Sequence, residues 1–332
     1  MKISVIGAGA FGTAMAIAAE RAGNDVVLWA HDPEVAEAIR STGENADYLP
    51  GMPLGPRIIA TAHLEEAARF SDTIFMVVPS HHYREVLTNL RGHTNAPLQV
   101  LSGTKGIENE SLDRMSEITS AVLGDQLRAF AVLSGPTFAL ETARADPTAA
   151  VIASRDTAFA QEAQRMLSSR TFRLYHSNDV IGVELGGSLK NVIAICAGVL
   201  EGLGLGSNTN AALVTRGLHE ITRLGVALGG RLETFAGLAG MGDLVLTCTG
   251  ALSRNRSVGV LLGRGQKLED ILRDAKFVAE GIKTSKSARQ LAERHEIEMP
   301  ITFEMHRVLY EGVSASESIQ RLMTRTLKAE VA

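Results

Sequence analysis

The chain has 332 residues, of which 45% are hydrophobic and 21% charged; this ordinary globular balance excludes a disordered or collagen-like polymer, and the length predicts two domains. Its 33 basic and 37 acidic residues give a net charge of −4 with no run of one sign, so nothing favours nucleic acid or an anionic membrane as partner. Cys196 and Cys248 lie in separate segments, too few and too far apart for a disulfide framework or a metal site, and read as buried thiols in a reducing cytosol.

Taken in chain order, "KISVI" at residues 2–6 reads as a buried parallel strand, and Ala10 to Ala22 as a helix. A lysine followed by an apolar run also has the outline of a signal peptide, but Gly7, Gly9 and Gly12 break that run and the strand pattern opposes export. No other stretch is expected to span a bilayer. "DVVLWA" is the second strand, and "DPEVAEAIR" opens a helix with Asp32 as cap and Pro33 in its first turn. "TIFMVVPS", "PLQVLSG", "RAFAVLSGP", "TAAVIAS" and "FRLYHS" follow as strands. Strands alternating with helices predict a mostly parallel sheet covered on both faces. From Val180 onward the periodicity is helical, over about 183–202, 208–228, 252–262, 267–274, 281–294, 300–310 and 315–328. The expected domains are therefore an α/β unit at 1–180 and an all-α unit at 181–332, with a cleft between them.

The "GAGAFG" motif follows a strand and opens a helix, which is the setting a dinucleotide fingerprint requires. Gly7 permits the tight turn, Gly9 lets a pyrophosphate approach the backbone, and Gly12 lets helix and strand pack closely. An acid for the ribose is expected at the end of the second strand, but the residues there are Ala30, His31 and Asp32. A small residue followed by histidine leaves room for a 2′-phosphate, so NADP(H) is expected to be accepted along with NAD(H).

Ligands of open α/β sheets bind at the carboxyl ends of the strands. Lys105 sits there in "SGTKGIE", able to reach a phosphate or a carbonyl oxygen or to remain a solvated loop residue. Gly135 and Pro136 shape a turn that carries Thr137, and the adjacent His81 and His82 read as a surface or cofactor-side pair. Lys190 and Asn191 interrupt the apolar helix "LGGSLKNVIAI", so Lys190 either snorkels to water or holds a proton in a cleft. "GLAGMGDLVLTCTG" reads as a glycine-rich loop carrying Asp243. In "SRNRS", Arg254 and Arg256 offer guanidinium forks for phosphate, Ser253 and Asn255 add neutral donors, and the same residues could be a helix cap. Glu280 could cap a helix or face the cofactor, and Asn208 and Asn210 are candidate polar contacts.

These segments, with "GAGAFGTA", "LWAHDP", "LSGPTFA", "GLAGMGDLVLTC" and "AEGIKT" in order from residue 7 to residue 284, resemble the bacterial-type NAD(P)-dependent glycerol-3-phosphate dehydrogenases. The resemblance implies a Rossmann domain followed by a helical domain like that of 6-phosphogluconate dehydrogenase. It also implies a homodimer, and the reversible reduction of dihydroxyacetone phosphate to sn-glycerol 3-phosphate for glycerophospholipid synthesis. By position it makes Lys190 the proton-transfer residue and Lys105, Gly135, Thr137, Asp243, Ser253, Arg254 and Asn255 substrate contacts. Ala10, Phe11, His31, Lys105, Ala139, Arg254, Val278 and Glu280 fall on its cofactor positions. Ala10 departs from the serine often found there, which removes a hydroxyl but keeps the backbone N–H. Two rival readings are a related dehydrogenase acting on a 2-keto acid or sugar acid, and a dinucleotide sensor without turnover.

Overall fold

The structure, a computed structural model, describes residues 1–274, 278–327 and 329–330. Eight strands form one sheet: β1 Lys2–Ile6, β2 Asp25–Trp29, β3 Ile58–Thr61, β4 Thr73–Met76, β5 Leu98–Ser102, β6 Leu127–Ser134, β7 Thr148–Ala153 and β8 Phe172–Ser177. Their order is β3-β2-β1-β4-β5-β6-β7-β8. All neighbours are parallel except β6 and β7, so the sheet is mostly parallel as the alternating pattern requires. The chain runs outward from β1 to β2 and β3, then crosses back to β4 on the other side. The reversal leaves a crevice beyond the carboxyl ends of β1 and β4, the position that takes a ligand in such sheets.

β3 was not anticipated from the sequence. It is a four-residue edge strand with Ile59 59% exposed, too short and too open to show as an apolar run. Both sheet faces are covered. One core packs the helices Ala10–Arg21 and Thr157–Leu167 on the strands, and the other packs Tyr83–Arg91 and Met115–Leu123.

Among the described residues no strand follows Ser177. The second half is built around the helix Val180–Gly202, against which Ser207–Ala227, Asp243–Thr249, Arg254–Gly263 and Glu280–Arg294 pack. Asp179 caps the long helix by accepting from Gly182 N (2.9 Å), which is why it starts three residues before the expected 183. Its crossing with Arg254–Gly263 is close because glycines face each other there. A Cβ on Gly198 would lie 2.0 Å from the carbonyl oxygen of Arg256, and one on Gly259 2.0 Å from that of Ile195.

Three expectations change here. The long helix has a mean hydropathy of 1.5 and is long and apolar enough to cross a bilayer, contrary to the expectation that no such stretch exists. It is instead the core of the helical half, most of its residues buried, with Glu184 and Lys190 both partnered by protein. The segment expected to be a glycine-rich loop is a π-helical turn, Leu238–Gly242, leading into the helix Asp243–Thr249. The helix expected over 315–328 ends at Met323, and its final expected position, 328, lies outside the described residues, as does Phe277 ahead of Val278.

Polar and apolar contacts join the halves. Val132, Ala153, Val180, Val183 and Ala239 form a small apolar cluster at the junction. Glu184 on the long helix accepts from Arg114 Nη1 (2.6 Å), Ser116 N (2.7 Å) and Ser116 Oγ (2.6 Å), all on the sheet side. The carboxylate thereby satisfies one orphan backbone donor, Ser116 N, at the start of the helix Met115–Leu123.

Candidate active site

The carboxyl end of β1 turns sharply into the helix Ala10–Arg21. Gly7 has φ of +119°, and a Cβ on Gly12 would lie 1.8 Å from the Gly7 carbonyl oxygen, so both positions need glycine for the reasons the motif suggests. A Cβ on Gly9 would meet nothing within 4 Å. The space beside Gly9 is open and the first N–H groups of the helix, from Ala10 and Phe11, border it. Open backbone N–H groups at a helix start are suited to an anion such as a pyrophosphate. Ala139 opens the helix Ala139–Ala143 and packs against the same core edge as Ala10 and Phe11.

At the end of β2, Asp32 is the helix cap: its Oδ1 accepts from Glu34 N at 2.9 Å. His31 is exposed, its ring edge-on to Trp29 with centroids 5.8 Å apart. Asp32 is thus engaged as a cap through Oδ1, and both it and His31 are exposed at the end of β2. His81 and His82 stack with centroids 4.1 Å apart. Burial, then Lys283, then His82 lower the His81 pKa to about 4, so it stays neutral at physiological pH.

The reactive cluster joins both halves. Asp243 begins its helix behind the π-turn and is buried. Its Oδ1 accepts from Lys190 Nζ at 2.5 Å, and its Oδ2 from Lys105 Nζ at 2.6 Å. Lys105 comes from the loop after β5, Lys190 from the middle of the long helix. Lys190 Nζ also donates to Thr247 Oγ1 (2.6 Å), whose own hydroxyl donates to the Asp243 carbonyl (2.6 Å). Lys105 Nζ lies 3.4 Å from the Gly135 carbonyl oxygen and 5.9 Å from the centroid of the Phe11 ring. An ammonium has three hydrogens, and two of those on Lys190 are engaged, leaving one for a ligand.

The snorkelling alternative for Lys190 fails, because its side chain is only 8% exposed and is tied to a carboxylate. Burial lowers its pKa to about 8; Asp243 opposes that shift and Lys105 adds to it. Burial by itself would raise the Asp243 carboxyl, but the two ammonium groups, Lys105 and then Lys190, together hold it below the ordinary value. The cluster therefore carries two positive charges and one negative, a net +1 in a water-poor site.

Ser253, Arg254 and Asn255 lie at the start of the helix Arg254–Gly263. Ser253 is the cap, accepting from Arg256 N at 3.2 Å, so its hydroxyl hydrogen remains free. Asn255 accepts from Gly281 N (2.9 Å) and donates to Asn191 Oδ1 (3.0 Å), which leaves one amide hydrogen unspent. Asn191 thus anchors Asn255 rather than Lys190. Arg254 keeps an exposed surface at the cleft, while burial by surrounding protein holds its guanidinium below the usual pKa, with Glu280 opposing. Arg256 does not join it: two residues along the helix, it points elsewhere and pairs with Glu201. The two guanidinium forks read from the sequence as a pair therefore do not share one site.

Glu280 opens its helix and reaches across the cleft, accepting from Ser80 N (3.1 Å) and Ser80 Oγ (2.6 Å) beyond β4. Burial raises its pKa, with the Ser80 bonds, Lys283 and Arg254 opposing. Thr137 is buried and donates to the Gly135 carbonyl (3.1 Å). Val278 is 37% exposed, two residues before Glu280. Asn208 and Asn210 belong to the first turn of Ser207–Ala227, on none of these contacts. The cysteines are both free; Cys248 is buried, but Cys196 is only half-buried, which corrects the expectation of two buried thiols. Sequence reasoning missed Thr247 and Ser80. Thr247 follows Asp243 by four residues, one helical turn, and was hidden by reading that segment as loop.

The N-terminal model of the NAD-dependent glycerol-3-phosphate dehydrogenases matches residues 2–160, and their C-terminal model residues 179–320. A glycerol-3-phosphate dehydrogenase (NAD(P)+) of Geobacter sulfurreducens is 51% identical over 330 residues, covering 99% of this chain and 98% of its own. The enzyme of that name from Koribacter versatilis is 48% identical and covers 99% of both chains. Among solved structures, glycerol-3-phosphate dehydrogenase from Coxiella burnetii superposes with a TM-score of 0.94 at 40% identity, over 98% of this chain and 99% of its own. A ketopantoate reductase from Ralstonia eutropha shares the fold alone, with a TM-score of 0.61 at 18% identity over 96% of this chain and 100% of its own.

Proposed function

The chain belongs to the NAD-dependent glycerol-3-phosphate dehydrogenase family, and we propose that Lys190 transfers the proton in its reaction. The protein is an oxidoreductase that reduces dihydroxyacetone phosphate to glycerol 3-phosphate with NAD(P)H. When bound, the nicotinamide supplies a hydride to C2 of the ketone. The backbone at Gly7, Gly9, Ala10, Phe11 and Gly12 would hold its pyrophosphate, and His31, Ala139, Val278 and Glu280 would border the remainder. The exposed His31 favours acceptance of NADP(H) together with NAD(H).

As negative charge develops on the C2 oxygen, the remaining N–H of Lys190 stabilises it and delivers the proton; in the reverse direction the neutral amine takes the proton back. A pKa of about 8 suits both directions near neutral pH. Asp243 fixes the orientation of Lys190 and Lys105, and Lys105 adds positive charge beside the substrate. Arg254 supplies the fork for the phosphate, with the free hydrogens of Ser253 and Asn255, while Gly135 and Thr137 close the sheet side. The observation that carries this reading is the Lys105–Asp243–Lys190 cluster, assembled from both halves beside the glycine-rich turn. We also propose a division at 1–180 and 181–332, supported by the last strand ending at Ser177 and the long helix starting at Val180. A homodimer is supported by exposed apolar residues on the helical half, including Leu232 (63%), Met241 and Val245. A cytoplasmic setting is supported by two free thiols.

The test is reduction of dihydroxyacetone phosphate with NADPH and then NADH, beside pyruvate and the oxidation of 6-phosphogluconate. Turnover is expected with dihydroxyacetone phosphate alone. Faster turnover of either acid would favour the rival dehydrogenase reading, and cofactor binding without any turnover would favour the sensor.

A further inference from the structure

We infer that Asn45 is a positioning residue for the cofactor pyrophosphate: by holding the Ala8 carbonyl, it turns the N–H of Gly9 toward the open side of the glycine-rich turn. Asn45 lies outside the motif, in the segment between the helix Pro33–Thr42 and β3, and is only 1% exposed. Its Nδ2 donates to the Ala8 carbonyl oxygen (2.8 Å) and to Thr13 Oγ1 (2.8 Å). A carbonyl only accepts, so the amide nitrogen is the group that must face it. Thr13 Oγ1 lies 3.4 Å from the same carbonyl, so Asn45 and Thr13 grip it together. The helical ladder does not: it starts with Thr13 N on the Gly9 carbonyl, one residue later.

The Ala8–Gly9 peptide is trans, so its C=O and N–H point in opposite directions. Fixing the oxygen on Asn45 aims the N–H of Gly9 away from it, and the position beside Gly9 is open. Glycine at position 9 eases rotation of that peptide, since no Cβ on that residue restricts φ. Without Asn45 the carbonyl oxygen can swing to where the N–H stood, and an anion would then meet a partial negative charge. The surrounding segment is built to deliver this one side chain. Leu49 is buried in the adjoining core and its N–H donates to the Asn45 carbonyl (2.8 Å), while Gly51 N donates to Glu44 Oε1 (2.6 Å).

The inference rests on the cofactor reading above, and the test separates the two. Calorimetric titration with ADP-ribose, which carries the pyrophosphate, is paired with ligand-observed NMR of adenosine, which lacks it. Asn45→Ala is expected to raise the ADP-ribose Kd at least about tenfold and leave adenosine within about twofold. Asn45→Asp keeps the shape but cannot donate, and should weaken ADP-ribose at least as much, which carries the test if Asn45→Ala does not fold. In turnover, the NADPH KM should rise while kcat at saturation changes little. Unchanged ADP-ribose binding by the variants, or equal loss of both ligands, overturns the inference. Failure of the unmutated protein to bind ADP-ribose overturns the cofactor reading and this inference with it.

Discussion

Replacing Asp243 by asparagine removes the only negative charge in the reactive cluster while keeping its shape. Lys190 retains an acceptor at Oδ1, but the new amide nitrogen meets the Lys105 ammonium, donor against donor. With Lys190 as the proposed proton donor, reduction needs its ammonium form, and its pKa of about 8 in the intact cluster predicts that kcat/KM for the ketone falls above that pH. Asp243 favours the charged form of Lys190, while burial and Lys105 disfavour it. Removing Asp243 therefore lowers the pKa and moves the limb toward acid. A contacting counter-charge is worth about one to three pH units, and even one unit brings the limb to about pH 7. At pH 8 the ammonium fraction then drops from about half to about one tenth, a loss of roughly fivefold beyond any pH-independent loss of orientation. The assay is kcat/KM for dihydroxyacetone phosphate at saturating NADPH from pH 5.5 to about 9.5. The apparent pKa belongs to the cluster as a whole. A limb that stays in place or moves to higher pH refutes the electrostatic role given to Asp243.

Two further outcomes follow from packing. Glu184→Ala strands Arg114 at the junction, where the two side chains are 12% and 3% exposed, although Glu117 still pairs with Arg114. The expected cost is about 3 kcal/mol, at the low end for breaking a buried pair, read as a shift of the urea midpoint; a cost below about 1 kcal/mol would contradict it. Gly12→Ala places a Cβ 1.8 Å from the Gly7 carbonyl oxygen, so the turn must open. NADPH affinity should fall at least about tenfold by calorimetry, together with a lower Tm; tight binding in this variant would contradict the geometry assigned to the turn.

Local signals in the sequence carried the sheet well. Six of the eight strands are largely apolar runs, β8 alternates buried and exposed residues, and β1 with its glycine turn is contiguous in the chain. β3 escaped because its apolar part, Ile58 to Ala60, is shorter than a strand-length run. The helix at Asp243 escaped because its approach is dense in glycine, which ordinarily breaks helices; packing against the long helix overrides that propensity. The grouping of Arg254 with Arg256 failed on helical phase, since residues two apart face different ways. The candidate site was legible as a set of residue types at strand ends and helix starts. Its connectivity was not: Lys105 and Lys190 reach Asp243 across 138 and 53 residues of sequence. The first bond depends on how the two halves pack, the second on how two helices pack within the helical half. Asn45 is hidden by tertiary packing inside the first half, 37 residues from the carbonyl it holds.

Single-turnover reduction of dihydroxyacetone phosphate by Lys190→Ala, with NADPH binding measured on the same preparation, tests the central claim most directly. Loss of the general acid and of its charge together should slow hydride consumption by about 10⁴-fold, with the NADPH Kd within about twofold of the unmutated protein. Turnover within about tenfold of the unmutated rate would show that the proton comes from another group.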